Sequence, residues 1–443
     1  MKQLLVAACL VLGLASCKQD VPNNTSAFTH DPLLYCKTVK KLNDIVLENN
    51  FAPMIASRNY VYANIAAYEC VSAGDAGFPT LAGQIRHMPA MPRPTDTAHT
   101  DYALAALLAF VKVGNAVTFP EGSMMSYYDE LKRMADSAGV SGESIKASSA
   151  FADTIASAIL AWSKKDNYGA TRGASRFTVS DSSGRYVPTP PMYATPLEPH
   201  WREIRTMVLD SASECMPVRP PAFDIANKNS VYWKALMDVK NTGDSLTPEQ
   251  KHIADFWDDN PFKMNVSGHV MFATKKFSPP GHWMNIVGIG AQKAKADFKT
   301  TVAAYAKTSI ALFDGFISCW DEKYRSNYIR PETVINTKVD PNWRPYIQTP
   351  PFPSYTSGHS TISSAAAEVM TEYFGDKLSF TDTSLLEFGI RNRDARSFRD
   401  AAQEASISRL YGGIHYRFDL DAGNVAGRKV GELIVSRLRM RKN

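Results

Sequence analysis

Apolar residues recur at three- and four-residue spacing over Pro32 to Glu48 and again over Pro53 to Ser72, the period that gathers them on one face of a helix. The same pattern predicts helices over Asp101–Val117, Gly122–Ser137 and Ser141–Ser163. Another starts at Thr247-Pro248-Glu249-Gln250, where a capping hydroxyl, a proline in the first turn and a box-closing glutamine coincide. From Gly281 helices resume, with a long one running to about Arg330 and others at Ser360–Phe374, Leu385–Leu410 and Ala422–Leu438. The strict alternation that marks a strand is almost absent. The chain reads as an all-α protein.

One stretch interrupts the pattern. Tyr168 to Pro221 is rich in Gly, Ser and Pro, with Pro188, Pro190, Pro191, Pro217, Pro220 and Pro221. Its aromatic residues Tyr186, Tyr193 and Trp201 favour an ordered excursion packed over the helices, because disordered linkers usually lack such residues. No internal repeat of fixed period is visible.

The N-terminus changes the picture of where the protein works. Lys2 precedes the apolar run Leu4 to Leu14, which is too short to span a bilayer. Leu14-Ala15-Ser16-Cys17 resembles a bacterial lipobox, which implies removal of residues 1–16 and acylation of Cys17, an anchor without a spanning helix. Polar residues 17–30 read as a tether, and the expectation is an exported, membrane-anchored lipoprotein, periplasmic or on the cell surface. Hydrophobic content of 44% and charged content of 21% over 443 residues are ordinary for a globular body with a large core. A formal charge of +5 without any Lys/Arg run excludes a nucleic-acid partner and suits an anionic substrate. Beyond Cys17, the cysteines Cys36, Cys70, Cys215 and Cys319 lack the close spacing of a zinc site. One or two disulfides and buried free thiols both remain open.

The candidate chemistry lies in three short blocks. The first is Lys323-x6-Arg330-Pro331: seven residues make nearly two helical turns, so both cations project from one face, and Pro331 ends the helix at Arg330. The second is a proline-rich loop, Pro350-Pro351-Phe352-Pro353-Ser354-Tyr355-Thr356-Ser357-Gly358-His359, running into a helix start, where unpaired N–H groups attract anions. The third is Ser408-Arg409-x5-His415-x3-Asp419. His415 and Asp419 are four apart and share a face if helical, so the carboxylate fixes the imidazole tautomer. Gly412-Gly413 breaks the helix and lets Arg409 and His415 point at one centre. Singly these blocks are a solvated basic face, a plain N-cap and a local ion pair. Together they concentrate cationic donors and two histidines, an arrangement that calls for bound negative charge.

In order and spacing the trio resembles the signature of the type 2 phosphatidic acid phosphatase and vanadium-dependent haloperoxidase superfamily. The departure is Thr356, where the signature usually has proline before Ser-Gly-His. The resemblance implies two helical bundles sharing a core, treated as a single domain over residues 31–443 with the oxyanion site within residues 320–419. It also implies that Lys323, Arg330, Arg409, the Ser357 hydroxyl and the Gly358 N–H hold equatorial oxygens. His415, oriented by Asp419, is then the axial group, and His359 the acid–base residue opposite. Trp320 and Phe352 resemble the aromatics of a haloperoxidase pocket, with Phe262 as a further candidate. The run His415-Tyr416-Arg417-Phe418-Asp419, and outer motifs such as Pro280-Gly281-His282-Trp283, point to the same branch. The implied activity is oxidation of iodide or bromide by hydrogen peroxide at vanadate bound to His415, with Lys323 polarising the peroxide. The alternative is an acid phosphatase acting on phosphate esters through a phosphohistidine at His415 and needing no cofactor.

Overall fold

The computed structural model describes residues 25–118, 122–260, 263–267, 270–274 and 276–442. The signal segment, Cys17, most of the tether and Phe262 lie outside the described residues. Within residues 17–30, Thr25–Thr29 form a helical turn, and Thr29 is buried.

Fifteen helices and two small hairpins make up the described chain. The organising element is the helix Phe298–Ser326, roughly 43 Å long at 1.5 Å per residue. It is buried almost all round from Phe298 to Lys323, so its few charged residues are inside and partnered, Lys307 on Glu372 and Asp314 on the N–H groups of Met207 to Leu209. Against it pack Pro53–Gly74, Gly358–Phe374, Pro279–Lys293 and Arg417–Arg437. One hydrophobic core runs through all of these helices. A smaller one, built on Tyr232, Leu236, Tyr328, Trp343 and Tyr416, lies beside the C-terminal blocks. Among the described residues no helix is long and apolar enough to cross a membrane.

Several boundaries follow the expected caps. Asp101, Ser141 and Thr247 cap the helices Tyr102–Val117, Gly142–Ser163 and Pro248–Phe256, the last with both bonds of the capping box. Others differ, each for a local reason. The helices that resume near Gly281 are Pro279–Lys293 and the long Phe298–Ser326: Lys295 adopts φ 53° between them, and the Asp297 carboxylate caps a fresh start at Thr300 N–H. The long helix ends at Ser326, not Arg330, because Asn327 takes the left-handed conformation with φ 46°, a common helix terminator. Arg330 therefore does not share a helical face with Lys323. It is extended, with φ −80° and ψ 148°, and Pro331 opens the next helix, Pro331–Lys338. The stretch expected as a helix over Leu385–Leu410 contains a 3₁₀ turn, Leu386–Phe388, and a strand, Arg393–Ala395, before the helix Phe398–Tyr411 begins at Ser397. Gly389, with φ 73°, closes the 3₁₀ turn. The helix Val231–Asp244, capped by Ser230, and the hairpins Lys263–Ser267/Val270–Thr274 and Phe380–Asp382/Arg393–Ala395 are additions to the sequence reading. All four cysteines of the described chain are free thiols, and three of them are buried.

The proline-rich excursion is ordered and clasps the site. Tyr186 and Trp201 are fully buried. Tyr186 N–H donates to Asn327 O, Ile329 N–H to Gly184 O, and Leu197 N–H to Pro351 O, tying the excursion to both arms of the candidate site.

The closest helix contact sets the geometry of that site. Gly423, Gly427 and Gly431 line one face of Arg417–Arg437 and lie against the backbone of Gly358–Phe374. A Cβ on Gly427 would sit 2.0 Å from Thr361 O, so glycine alone permits this approach. Gly427→Ala is expected to lower stability by ~3 kcal/mol, at the upper end for overpacked cores, read as a drop in the denaturant midpoint.

Candidate active site

The blocks converge on the N-terminus of Gly358–Phe374, and each side chain is aimed by a different device. Ser357 caps this helix, its Oγ accepting from Ser360 N–H at 3.2 Å. Gly358 and His359 supply the N–H groups that a helix start leaves over. Gly358 has nothing nearer to a notional Cβ than a Trp320 ring atom at 3.7 Å, so its lack of a side chain keeps that space open to a ligand. Ser357 N–H donates to Asp419 O at 3.0 Å, which docks this helix start on the third block.

His415 precedes the helix Arg417–Arg437 and is not part of it. Asp419 nevertheless reaches it, because a carboxylate at the third helical position folds back over the helix start. Asp419 Oδ2 accepts from His415 Nδ1 at 2.8 Å, from Ser354 Oγ at 2.6 Å and from Tyr416 N–H at 3.3 Å. A carboxylate only accepts, so His415 carries its proton on Nδ1 and its lone pair on Nε2. That nitrogen lies 3.1 Å from Arg330 Nη1. Burial, and then the charges of Arg330, Lys323 and Arg409, hold His415 well below the usual histidine range. Burial lifts Asp419 to about 6, against the pull of the Ser354 hydrogen bond and the two cations Lys323 and Arg330.

The cations are themselves buried and braced. Arg330 donates from Nε to Phe352 O at 2.9 Å and from Nη1 to Ile414 O at 2.7 Å, while Nη2 has no partner among the described residues. Arg409 bonds Ser408 Oγ and the Trp257 carbonyl. Burial lowers both guanidinium groups to about 10, which leaves them charged at neutral pH. Lys323 Nζ lies 2.9, 3.0 and 2.5 Å from the carbonyls of Pro353, Ser354 and Thr356. Burial pushes its pKa down to about 7, and three carbonyl acceptors, one for each proton of an ammonium, favour the charged form. In this arrangement Lys323 shapes the loop, and contact with a ligand requires it to release one carbonyl. Thr356 at the unusual position keeps its carbonyl on Lys323.

Trp320 and Phe352 meet at 5.0 Å between ring centroids, with Lys323 and Arg330 over the Phe352 ring at 5.0 and 5.2 Å. They line a cleft of about 640 Å³, counted to its open mouth, with Leu197, Pro351, His359 and His415. Burial, then the Arg409 charge, depress His359 to about 4, so it is a neutral base at neutral pH.

Of the expected groups, Gly358, His359, Arg409 and His415 line this cleft; Arg330 stands at His415 Nε2, Lys323 and Ser357 are buried beside it, and Asp419 lies behind His415. Sequence reasoning passed over Ser354, which braces Asp419, and Asp259, whose Oδ2 lies 3.6 Å from His359 Nε2. Ser354 was within reach, since it stands in the loop already singled out. Asp259 had no local signal.

The donor set fits a tetrahedral oxyanion such as vanadate. It offers an unpartnered guanidinium nitrogen, two N–H groups of a helix start and a histidine lone pair. No group of three or more His, Cys, Asp or Glu among the described residues is arranged to hold a bare metal ion.

Comparison with known proteins gives a consistent answer. Residues 303–442 match the family described as the VCPO second helical-bundle domain. The chain is similar to a bacterial vanadium-dependent iodoperoxidase of known crystal structure, with 42% identity and a TM-score of 0.87 over 93% of this chain and 98% of that one. The holo- and apo-type structures of a bacterial vanadium-dependent chloroperoxidase each align with a TM-score of 0.66 at 16% identity, over 87% of this chain and 92% or 95% of theirs; they share the fold. No curated protein matches significantly. A likeness of 42% over nearly the whole length of both chains places this protein in the vanadium-dependent haloperoxidase family.

Proposed function

We propose that the protein oxidises a halide, iodide before bromide, with hydrogen peroxide at vanadate held by His415. The observation that carries this reading is the buried His415, its Nδ1 proton fixed on Asp419 and its Nε2 lone pair facing the Arg330 guanidinium. A lone pair so fixed is a ligand for an electrophilic centre, and the surrounding cations hold the negative oxygens of an oxyanion. The 42% identical relative that bears the name iodoperoxidase supports iodide as the first halide to test.

Vanadate supplies a Lewis-acidic centre that activates peroxide for attack by halide, without a redox role for any side chain of the protein. The chain's own residues do the rest. Arg330 offers Nη2 to one oxygen, Arg409 adds charge, and Ser357 and the Gly358 N–H serve the others. Lys323 would join them by exchanging one loop carbonyl for a ligand oxygen, placing its charge beside the bound anion. His359, neutral at working pH, would accept a proton from a peroxide oxygen and return one to the oxygen that leaves as water. The balance is halide, peroxide and one proton giving hypohalous acid and water. Bound negative charge opposes the cations that depress both histidines, so His359 gains basicity when the ligand is present.

The acid phosphatase alternative uses the same cradle, with His415 Nε2 attacking phosphorus. The packed Trp320–Phe352 wall favours a small halide over a bulky ester. Phe352→Ala is expected to lower peroxidase kcat/KM by ~10-fold, through lost packing against both cations, with vanadate affinity less affected. A phosphatase would instead keep or widen its ester range in this variant, and that result would overturn the halide reading.

We also propose that Cys17 carries the membrane anchor. Cys17→Ser is expected to release the protein from the membrane fraction or block its maturation; full retention in membranes would point to a different attachment.

A further inference from the structure

Behind the oxyanion cradle lies a chain of buried titratable groups that the reaction above does not use. His282, in the helix Pro279–Lys293, is fully buried. Its Nδ1 lies 2.9 and 3.1 Å from the two Asp259 oxygens, and its Nε2 lies 2.9 Å from Asp382 Oδ2. Both ring nitrogens face acceptors, so both carry protons and His282 is an imidazolium. Burial pushes its pKa down, but the two carboxylates outweigh burial and lift it to about 10. Trp257 stacks on the ring at 4.6 Å.

The chain continues toward the site. Burial pushes the Asp259 carboxyl up, and the His282 charge more than offsets this, holding it ionised. Its Oδ2 is 3.6 Å from His359 Nε2, a buried nitrogen with no hydrogen-bond partner among the described residues. Asp259 also adopts φ 41°, a conformation that a residue with a side chain takes only when its surroundings impose it. The same turn presents the Trp257 carbonyl to Arg409, so one segment braces both the acid–base histidine and an oxyanion cation. Arg409 and Asp258 are the other charged groups acting on His359.

We propose that Asp259, clamped by His282 and through it by Asp382, is the positioning carboxylate of His359. From 3.6 Å it attracts the Nε2 proton, a contact that tightens to a hydrogen bond when the pocket is filled, and so leaves the lone pair on Nδ1 for proton exchange in the oxyanion pocket. His282 is needed because an isolated buried carboxylate would take up a proton and lose its grip. The proposal rests on the acid–base role given to His359 above, and its test separates the two.

The test is ¹⁵N and ¹H NMR of histidine-labelled protein without vanadate, with His359→Ala to assign the resonance. The neutral His359 ring of the wild type is expected to carry its proton on Nε2 alone, with that proton downfield and slow to exchange. Asp259→Asn should remove the downfield signal and populate both tautomers. His282→Gln, which leaves Asp259 in place but unclamped, should move the spectrum the same way and serves if the first variant does not fold. In vanadate-loaded enzyme, Asp259→Asn should lower kcat by ~10²-fold, the lower end for acid–base groups, with vanadate Kd little changed. A wild-type proton on Nδ1, an unchanged His359 spectrum in both variants, or a loss of vanadate affinity equal to the loss of kcat would each overturn the proposal. Failure of halide oxidation with the NMR result intact would count against the peroxidase reading alone.

Discussion

Replacing His415 by alanine is expected to abolish tight vanadate binding and to cut peroxide-dependent halide oxidation by ~10⁴-fold or more, as losses of a reacting group do. His415 provides the nitrogen lone pair assigned to the central atom, and the cations and N–H groups around it contribute attraction without a bond to that atom. The ring is buried in a loop braced by other contacts, Ile414 N–H to Arg409 O at 3.2 Å and Asp419 N–H to Tyr416 O at 3.0 Å. The fold therefore survives, and far-UV circular dichroism should match the wild type. Calorimetry with orthovanadate checks the claim: retained affinity in His415→Ala would remove this residue from the centre of the account.

Asp419→Asn is expected to be nearly as damaging although it changes one atom. The asparagine amide can turn its NH₂ toward His415 Nδ1, which moves the ring proton to Nε2 and eliminates the lone pair that faces Arg330. The alternative rotamer keeps the tautomer but loses the charge that supports the ring. Loss of such a supporting carboxylate lowers metal affinity by ~10–100-fold, and a wrong tautomer lowers turnover by up to ~10⁴-fold. The two effects separate in one titration series: vanadate Kd reports the first, and kcat at saturating vanadate reports the second. Unchanged values of both would mean that Asp419 serves only the helix start.

Much of this site could be read from the chain because its donors come in three local blocks. Lys323, Arg330, Ser357, Gly358, His359, Arg409, His415 and Asp419 each stand within a few residues of another member, and their chemistry is legible without a fold. The devices that aim them were less so. Lys323 and Arg330 were expected to share a helical face, but Asn327 ends the helix and the two meet through the loop carbonyls between Phe352 and Thr356. His415 and Asp419 were expected to pair as helical neighbours, whereas they pair across a helix start. His359 and His282 each stood in a quoted motif, but their connection through Asp259, and on to Asp382, gave no signal. Its hydrogen-bonded links join residues 23 and 100 positions apart, and only the packing of Pro279–Lys293 between them brings the ends together. The small hairpins escaped for a simpler reason: three to five residues are too few for alternation to stand out.

The most direct test of the whole account is a titration of metal-free protein with orthovanadate, following iodide oxidation by hydrogen peroxide and hydrolysis of a phosphate ester in parallel. The account predicts that peroxidase activity appears with vanadate, saturates at one vanadate per chain and is absent without it. Efficient ester hydrolysis without vanadate, together with no iodide oxidation at saturating vanadate, would contradict it and make the protein a phosphatase.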